Sequence, residues 1–442
     1  MSALAQFACW SGCRVSGSDR SLGPHVSPAP LHRSLQEAGC LLCNQDGSGI
    51  NGQTQAVIVS TAIEADNPDC VAARQRGLPL VHRSDLLASF VDSHTTIAIA
   101  GTSGKSTVTA VCFELLRAAG KDPSLITGAP LTSLTARGFA GNAWKGASDL
   151  LIIEADESDG TLVKYAPHLT ILLNLSHDHH PVEETCVLLR TLASRSQVCI
   201  RNHDCTALDS VPAHMTFGLT PQADVHPETI ISVVPSIAFR YREETVHFPL
   251  PGTHNLANVL AALAVGEALH CNRRHAVNAL EHFAGLQRRF NRLRSTHGVS
   301  VIDDFAHNPE KIRAALSTAQ ALSPRVHALF HPHGYEPLRF MHDELIECFV
   351  QTCRSSDTVH LLPVYYAGGT ARREIESGDI VHALCERGIT AYAPPDRPTC
   401  LKHLGEICAK TDLILSMGAR DPSLAAFAAE IAQTVVPSRT EQ

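Results

Sequence analysis

The chain has 442 residues, of which 44% are apolar and 18% are charged, the composition of an ordinary globular protein. Its length exceeds what one hydrophobic core usually serves, so two or three domains are expected. The formal charge is -8, with 36 basic and 44 acidic side chains, and no basic block is present. This charge pattern excludes nucleic acid and an anionic membrane as expected partners.

No apolar run reaches the roughly 18 residues that a membrane span needs. Residues 1–20 also lack the basic start and the continuous apolar centre of a signal peptide, so a cytoplasmic location is expected. The fifteen cysteines are scattered along the chain, and several fall in apolar periodic segments. We expect reduced thiols that serve as small core residues, rather than a zinc or disulfide framework.

Residues 1–95 alternate short apolar runs with stretches typical of helices, which predicts a first domain built as a small parallel α/β unit. Helices are predicted at 2–10 and 68–76 and strands at 13–19 and 56–60, and the apolar residues Leu80 and Val81 follow the second helix. Asp19 ends the first of these strands. An acidic residue in such a place often binds a ribose hydroxyl, so Asp19 is a candidate nucleotide contact, although a turn-forming aspartate explains it equally well.

Residues 96–120, TIAIAGTSGKSTVTAVCFELLRAAG, predict a strand, a glycine loop and a helix in that order. The order is typical of a phosphate-binding loop, because glycines let backbone N–H groups approach the phosphates and the helix N-terminus adds positive charge. Lys105 is predicted to neutralise the outer phosphates and Ser106 to ligate Mg²⁺. Ile99 stands where the motif G-x-x-x-x-G-K-[ST] has its first glycine, and a plain strand–turn–helix with a surface lysine is the alternative. The candidate phosphate-binding residues are Gly101, Thr102, Ser103, Gly104, Lys105, Ser106 and Thr107.

A cluster of carboxylates follows the strand predicted at 150–153. Glu154, Asp156, Glu157 and Asp159 are close in sequence and would repel one another unless a cation or N–H donors lay among them. The sequence therefore predicts a Mg²⁺ site here, with a solvated acidic loop as the alternative.

Histidines follow the next strand, which is predicted at 169–175. Asn174 lies near its end, and His177, His179 and His180 then flank Asp178. Three neighbouring histidines suggest zinc, but consecutive loop residues cannot all face one ion. A zinc site is therefore not expected at this position.

A helix with a polar start and an alanine-rich apolar face is predicted at 251–266. Its first turns carry His254, Asn255 and Asn258, whose ring nitrogen and amide groups are candidates to bind adenine edges. Capping of the helix is the alternative role for each of them. The central domain is predicted to span 96–286.

The last domain, 287–442, opens with a strand predicted at 299–302 and the segment DDFAHNP. Asn308 and Pro309 are a good N-cap and first-turn pair, so a helix is expected to begin there. The residues just before it lie at the carboxyl edge of a parallel sheet, where ligand sites of α/β proteins gather. Strand and helix pairs that begin at 326, 359 and 413 predict a doubly wound domain.

Five separated motifs, GTSGKST, EADESD, NLSHDH, GTHNLAN and DDFAHNP, occur in the order that they have in the Mur ligase family. Over nearly its whole length the chain resembles this family, whose members are ATP-dependent enzymes that join an amino acid or a peptide to a carboxylate. The resemblance implies an α/β fold of three domains. The N-terminal domain is partly Rossmann-like and binds a UDP-substrate, the central one is a P-loop ATPase-type domain, and the C-terminal one is Rossmann-like and doubly wound.

The resemblance also implies roles for single residues. It assigns Lys105, Glu154, His179 and His307 to catalysis, and Ser106, Glu154 and His179 to Mg²⁺, with Asp178 orienting the ring of His179 or a metal-bound water. It assigns His254, Asn255, Asn258, Arg289 and Asp304 to ATP, together with the phosphate loop, and Asp304 is expected to reach the ribose. The candidate substrate contacts are Asp19, Asn174 and Arg339.

Two departures from the family pattern concern the substrate. In the family, a strand and a G-x-G-G loop precede the first helix; neither is present here, so either the start is truncated or part of the UDP site has been given up. FHPHGYEPLRF has Gly334 and Pro337 where alanine-adding members have arginines that hold phosphate and the incoming amino acid, and only Arg339 remains.

No lysine lies between Asp178 and Arg201, where some members carry a carbamylated lysine, and this absence fits the alanine-adding branch.

By resemblance, the ATP γ-phosphoryl group is transferred to a substrate carboxylate, and an amine attacks the acyl phosphate to give an amide, ADP and phosphate in peptidoglycan precursor synthesis. The implied substrates are a UDP-sugar carboxylate and an amino acid or peptide. The implied cofactors are ATP and Mg²⁺, and a monomer or weak homodimer is expected. Two alternatives stay open: another ligase of the superfamily, such as a murein-peptide ligase, and a nucleotide-binding paralogue that has lost catalysis.

Overall fold

The computed structural model of the chain describes residues 1–19, 22, 30–158, 160–176, 181–366 and 373–437. The chain forms two compact units. The first comprises Met1–Ile231, Ala238–Pro249 and Asn255–Leu286, and the second comprises Ser232–Ile237, Leu250–His254 and Gln287–Gln442. Both units combine helices with mainly parallel strands, which confirms the predicted α/β class.

The N-terminal part of the first unit holds two short pairs of parallel strands. Its elements are α1 (Ser2–Trp10), β1 (Ser16–Ser18), α2 (Pro30–Glu37), β2 (Leu41–Cys43), β3 (Val57–Val59), α3 (Pro68–Gln75), β4 (Leu80–His82) and α4 (Arg83–Asp92). β1 pairs with β2, and β3 pairs with β4. α3 begins as expected because Asn67 Oδ1 accepts the backbone N–H of Asp69 at 3.0 Å and Pro68 occupies the first turn.

A seven-stranded sheet forms the centre of the first unit. Its strands are β5 (Thr95–Ala100), β6 (Ser124–Ile126), β7 (Ala143–Trp144), β8 (Leu150–Ala155), β9 (Leu169–Leu172), β10 (Val198–Asn202) and β11 (Met215–Phe217), in the order β11-β10-β9-β5-β8-β6-β7. β6 and β7 are antiparallel and the other neighbours are parallel. β5 lies between β9 and β8, with Ile99 opposite Glu154. The carboxyl ends of these three strands therefore meet at one edge, where α/β proteins bind ligands.

Helix α5 (Lys105–Ala118) follows β5 directly. The next elements are α6 (Thr132–Thr135), α7 (Val182–Ser194), the three-stranded sheet of β12 (Thr229–Ser232), β13 (Ile237–Tyr241) and β14 (Glu244–Phe248), and then α8 (Thr253–Ala268) and α9 (Arg273–Glu281). The apolar residues that recur at three- and four-residue steps in α5 are all buried: Val108, Val111, Cys112, Leu115 and Leu116.

The second unit is built on a six-stranded sheet. Its strands are β15 (Asn291–Leu293), β16 (Ser300–Asp304), β17 (Val326–His331), β18 (Thr358–Leu361), β19 (Ala391–Tyr392) and β20 (Leu413–Gly418), in the order β15-β16-β20-β17-β18-β19. β15 is antiparallel to β16, and the other neighbours are parallel. Its helices are α10 (Pro309–Gln320), α11 (Tyr335–Phe340), α12 (His342–Thr352), α13 (Ser377–Glu386), α14 (Arg397–Ile407) and α15 (Leu424–Thr434).

Two separate apolar clusters lie in the second unit. One contains Ile312 and Leu316 of α10 together with Phe349 of α12, and the other contains Leu404 of α14 and Phe427 of α15. Alternate residues of a strand point to opposite faces, and the sheet contributes to both clusters, so helices cover both of its faces, as predicted for a doubly wound domain. None of the helices in the described ranges has both the length and the apolar character to span a bilayer.

Buried polar side chains form a chain beside β18. His360 Nε2 lies 3.0 Å from Thr358 Oγ1, which lies 2.8 Å from His327 Nδ1. His327 Nε2 in turn lies 3.0 Å from Asp412 Oδ2. Burial, and then the neighbouring histidine rings and Arg325, lower the pKa of His360 to about 3.

We expect His360 to make the protein less stable in mild acid. The unfolded chain takes up a proton near the ordinary histidine pKa of 6.5, whereas folded His360 stays neutral until about pH 3. The contribution of neutral His360 to the free energy of unfolding is therefore fully present above pH 6.5, the pKa of the ring in the unfolded chain. Below that pH it falls by about 1.4 kcal/mol per pH unit, until the pH reaches the pKa of the ring in the folded protein. The free energy of unfolding is measured by urea titration at several pH values in this range. We expect its slope against pH to be steeper by this amount in the wild type than in His360→Gln. Equal slopes would contradict the expectation.

Candidate active site

The loop between β5 and α5 has the backbone of a phosphate cradle, and residues 101–107 all lie in it or in the first turn of α5. Gly101 and Gly104 have φ angles of 136° and 86°, in the left-handed region that favours glycine. A Cβ on Gly101 would lie 2.9 Å from the backbone oxygen of Asn174, and one on Gly104 would lie 2.5 Å from Asn258 Oδ1. Gly104 is also the N-cap of α5, so the first amides of this helix are directed to the loop.

Asn174, a predicted substrate contact, braces this loop. Its Oδ1 accepts the backbone N–H of Ser103 at 2.8 Å and the hydroxyl of Thr102 at 2.9 Å, and its Nδ2 donates to the Ser103 carbonyl oxygen at 2.9 Å. The Thr102 hydroxyl also lies 2.9 Å from Ser176 Oγ. These bonds tie the segment after β9 to the loop, so Asn174 gives the cradle its shape. A direct contact between Asn174 and substrate stays a prediction.

We expect Gly101→Ala to weaken ATP binding by about tenfold or more, which corresponds to about 1.4 kcal/mol. The added methyl group would meet the Asn174 backbone, and alanine is strained at this φ, so the loop amides must move away from the phosphates. Calorimetric titration with ATP measures the effect. Gly120→Ala is the matched control, because Gly120 also has a positive φ of 76° but its Cβ would meet no atom within 4 Å. Equal losses in both variants would point to general strain and not to the loop.

Lys105 begins α5 and is only 14% exposed. Its Nζ donates to the Gly101 carbonyl oxygen at 2.7 Å and to Glu157 Oε2 at 2.6 Å, and it lies 3.6 Å from Asp156 Oδ1. Burial by itself lowers the pKa of a lysine, but the Glu157 and Asp156 carboxylates outweigh this effect and raise the pKa of Lys105. Lys105 is therefore a largely buried cation at the phosphate loop.

Glu154 lies in β8 and is oriented by three donors. Its Oε2 accepts the Ser106 hydroxyl at 3.0 Å, and its Oε1 accepts the backbone N–H of Gly128 at 2.8 Å and the hydroxyl of Thr127. Thr127 and Gly128 follow β6 and were not identified from the sequence. A hydroxyl oxygen beside a carboxylate oxygen is the hard donor set that Mg²⁺ prefers, so Ser106 and Glu154 fit the predicted ion.

The acidic cluster after β8 does not converge on one point. Glu154 binds Ser106, whereas Glu157 binds Lys105, because the lysine supplies the positive charge that these carboxylates need. Within the described ranges, no three His, Cys, Asp or Glu side chains meet in a way that could hold a metal ion. Asp159 and residues 177–180, which include the predicted metal ligand His179 and its neighbour Asp178, lie outside the described residues, so their roles stay predictions.

The three predicted adenine contacts are divided between the two units. Asn255 and Asn258 are buried on α8 in the first unit, where Asn258 Nδ2 donates to Asn255 Oδ1 at 3.1 Å. Asn258 Oδ1 would lie 2.5 Å from a Cβ on Gly104, so the Asn258 side chain lies at the phosphate loop. His254 belongs to the second unit, where burial lowers its pKa and the charge of Asp304 opposes the change. Adenine binding by these residues stays a prediction.

Asp303 and Asp304 end β16 in the second unit. Both carboxylate oxygens of Asp304 accept backbone N–H groups, Oδ2 from Phe290 at 2.6 Å and Oδ1 from Ala306 at 2.7 Å. Asp303 lies behind it with Arg288 Nε 3.5 Å from its Oδ2, and burial raises the pKa of Asp303 to about 6 in spite of this arginine. Asp304 thus fixes the turn before α10, and its contact with the ribose stays a prediction.

His307, a predicted catalytic residue, lies beside a second histidine. Its Nδ1 is 2.8 Å from the Phe305 carbonyl oxygen, and its ring centroid is 5.3 Å from that of His333. The guanidinium of Arg289, predicted to bind ATP, lies 4.9 Å from the centroid of Phe305. Phe305 and His307 follow β16 and His333 follows β17, so these three rings lie at the carboxyl edge of the six-stranded sheet, where the sequence predicted a ligand site.

The other predicted substrate contacts are both exposed. Asp19 follows β1, and Arg339 on α11 is 59% exposed with its Nη1 3.6 Å from Glu374 Oε2. Sequence reasoning missed Arg420, which follows β20 with a strained φ of 37° and whose Nη1 lies 3.8 Å from the position of a Cβ on Gly334. Across the described part of the chain, no hydrogen bond or ion pair involves Arg420. A free guanidinium therefore lies beside the glycine that stands in place of a family arginine.

Comparison with known proteins gives the class of this enzyme. Three family models match the chain: Mur ligase family, catalytic domain at residues 1–95, Mur ligase middle domain at 99–266, and Mur ligase, glutamate ligase domain at 288–420. The chain therefore belongs to the Mur ligase family. It is accordingly an ATP-dependent, ADP-forming carbon–nitrogen ligase.

The chain is also similar to individual members of this family. The chain is 33% identical over 440 residues to the UDP-N-acetylmuramate--L-alanine ligase of Paenarthrobacter aurescens (strain TC1), covering 95% of this chain and 92% of that protein. The UDP-N-acetylmuramate-alanine ligase of Thermotoga maritima has the same fold, with a TM-score of 0.77, 23% identity, and coverage of 98% of this chain and 95% of that one. The murein peptide ligase of Psychrobacter arcticus 273-4 also shares it, with a TM-score of 0.69, 21% identity, and coverage of 100% and 97%.

Proposed function

We propose that this chain joins L-alanine to the carboxylate of UDP-N-acetylmuramate at the expense of ATP, through an acyl phosphate, in peptidoglycan precursor synthesis. The observation that carries the proposal is the phosphate loop, in which Lys105, Ser106 and Glu154 surround one cradle. Similarity to ligases of this name over nearly the full chain supports the choice of substrates.

The proposed roles follow from charge and position. Lys105 and the loop amides offset the negative charge that moves during phosphoryl transfer. Ser106 and Glu154, with the predicted ligand His179, would hold Mg²⁺. When bound, this ion supplies positive charge shared by the phosphates and the carboxylate. His307 is proposed to lie by the reacting groups, and Asn255, Asn258, His254, Arg289 and Asp304 to hold the adenosine part of ATP.

The remaining features of the proposal concern organisation. We propose three domains at 1–95, 96–286 and 287–442, in line with the segments that the family models match. We further propose a cytoplasmic protein that is a monomer or a weak homodimer and has small molecules as its partners. The absence of a basic block and the formal charge of -8 support this choice of partners.

The amine substrate carries a carboxylate, and Arg420 is proposed to bind it. We expect Arg420→Ala to raise the KM for the amino acid about tenfold while changing kcat less, because a charge-assisted hydrogen bond contributes about 1.5 to 3 kcal/mol. Steady-state kinetics at saturating ATP measures both constants. Arg387→Ala is the control, since Arg387 is an exposed arginine of the same unit that pairs with Glu347 at 3.1 Å. An unchanged KM in Arg420→Ala would show that Arg420 does not bind the carboxylate. A tenfold rise of the KM in Arg339→Ala, without a rise in Arg420→Ala, would assign the carboxylate to Arg339.

A murein-peptide ligase is the second candidate. Gly334 and Pro337 support it, because the arginines expected to hold a single amino acid are missing, and the similarity to the Psychrobacter fold allows it. The two functions share every contact of the phosphate loop. They differ in the size of the amine that must reach the acyl phosphate.

A panel of amines decides between the candidates. ADP release is measured with UDP-N-acetylmuramate and, in separate reactions, L-alanine, other single amino acids, and the peptide L-alanyl-γ-D-glutamyl-meso-diaminopimelate. Release that depends on L-alanine supports the proposed function, and release only with the peptide supports the second candidate. ATP binding without ADP release across the whole panel would refute both and favour a paralogue that has lost catalysis.

A further inference from the structure

Two cysteine thiols touch in the N-terminal part of the first unit. Cys9 lies in the last turn of α1 and Cys40 immediately precedes β2, and their Sγ atoms are 3.3 Å apart. All fifteen cysteines lie in the described residues and all are free. No other two of them are joined by a sulfur–sulfur hydrogen bond in the part of the chain that the structure describes.

Backbone hydrogen bonds hold both thiols in place. Cys40 N–H donates to the Leu35 carbonyl oxygen at 3.0 Å, and the next residue, Leu41, donates to the Val15 carbonyl oxygen at 2.9 Å. On the other side, Cys9 is part of the hydrogen-bonded end of α1. A disulfide has an S–S distance of about 2.05 Å, so the two sulfurs need to approach by only about 1 Å. The folded protein therefore presents the two thiols in position to bond.

We infer that Cys9 and Cys40 are an oxidation-sensitive pair, which hydrogen peroxide converts into a reversible intramolecular disulfide. In the first step the Cys9 sulfur attacks one peroxide oxygen and the O–O bond breaks, giving a sulfenic acid and water. In the second step the Cys40 sulfur displaces the hydroxyl group from the Cys9 sulfur, which releases a second water. Two thiols and one peroxide thus give one disulfide and two waters, with peroxide as the oxidant.

The order of the two steps follows from exposure. Cys9 is partly exposed, whereas Cys40 is only 3% exposed, so peroxide reaches Cys9 first. Burial, and then the contact with Cys9, raise the pKa of the Cys40 thiol to about 12, which keeps this sulfur protonated and unreactive towards peroxide in the reduced protein. Once Cys9 is a sulfenic acid, its sulfur still lies beside the Cys40 sulfur, and this proximity makes Cys40 the resolving residue.

Two nearby cysteines are rival partners. Cys13 is exposed and lies shortly after Cys9, and Cys43 is separated from Cys40 by two residues in the order C-L-L-C. In the described residues no hydrogen bond joins the Cys40 and Cys43 sulfurs, whereas the Cys9 and Cys40 sulfurs are 3.3 Å apart. The Cys9–Cys40 pair is therefore favoured over Cys40–Cys43, and the inference does not depend on the proposed function.

The experiment maps disulfides in the full chain. Reduced protein is treated with increasing hydrogen peroxide, free thiols are blocked with N-ethylmaleimide, and a non-reducing digest is analysed by mass spectrometry. We expect a Cys9–Cys40 peptide pair that lacks two hydrogen atoms and disappears after treatment with dithiothreitol. Dimedone should label the Cys9 sulfenic acid strongly in Cys40→Ser and weakly in the wild type, while Cys13→Ser should behave as the wild type.

Several results would overturn the inference. A disulfide from Cys9 to Cys13, or from Cys40 to Cys43, would show that another pair is the reactive one. Equal dimedone labelling of Cys9 in the wild type and in Cys40→Ser would show that Cys40 does not resolve it. Oxidation of Cys13 with Cys9 and Cys40 both recovered as thiols would show that the pair is inert. The mapping on the wild type stands alone if Cys40→Ser fails to fold.

Discussion

Lys105→Ala is expected to lower the rate of ADP release by about 10² or more, because the variant lacks the cation that offsets charge during phosphoryl transfer. In the structure the Lys105 ammonium lies at the start of α5, bonded to the loop at Gly101 and to Glu157. Phosphates that enter the cradle compete with the Glu157 carboxylate for the same ammonium group. An initial-rate assay with saturating substrates measures the loss.

The variant also leaves Glu157, which is 2% exposed, without its cation, and breaking such a buried pair destabilises a protein. The double variant Lys105→Ala with Glu157→Gln separates the two effects, because it removes both charges. We expect it to regain part of the thermal stability while activity stays lost. Lys410→Ala, at an exposed lysine of the second unit, is the control for loss of a positive charge. If the double variant regained activity together with stability, the lysine would have a structural role only.

Glu154→Gln is expected to lower the rate by about 10² and to weaken the response to Mg²⁺, because the amide keeps the shape of the side chain but loses the charge that a divalent cation requires. The neighbouring donors Ser106, Thr127 and Gly128 stay in place around it. Activity is measured as a function of Mg²⁺ concentration. Binding of Mn²⁺ in the presence of ADP, followed by electron paramagnetic resonance, gives a readout that does not depend on turnover.

Glu114→Gln is the matched control for this experiment. Glu114 lies in α5 of the same unit, and its carboxylate pairs with Arg117 at 3.5 Å instead of lying at the loop. We expect wild-type dependence on Mg²⁺ from this variant. Wild-type binding of Mn²⁺ by Glu154→Gln would remove Glu154 from the ion site and leave Ser106 as the single described ligand.

The phosphate loop was predictable from the sequence because its signals are local. The apolar run before Gly101, the glycines, and the recurrence of apolar residues in α5 are all contained in a short segment, and the structure confirms the strand, loop and helix. The position of Glu154 was equally predictable, since it lies near the end of a buried strand that runs parallel to β5. Local patterns of this kind determine which residues share a sheet edge.

The contacts that shape the site were not predictable, because they join segments far apart in sequence. Asn174 bonds to Ser103, Asn258 faces Gly104, and Arg420 approaches Gly334. None of these pairs leaves a periodic pattern. The acidic cluster shows the same limit, since its sequence suggested one ion, whereas the fold gives Glu157 to Lys105 and Glu154 to Ser106.

The alignment of β8 with β5 constrains how the gene can change in length. Glu154 faces the loop because it stands opposite Ile99, and successive side chains of a strand turn to opposite faces of the sheet. An insertion or deletion of one codon within β8 would bring Ile153 or Ala155 to this position, and the Glu154 carboxylate would then lie on the opposite face of the sheet. We therefore expect natural and engineered insertions and deletions to be rejected inside β8.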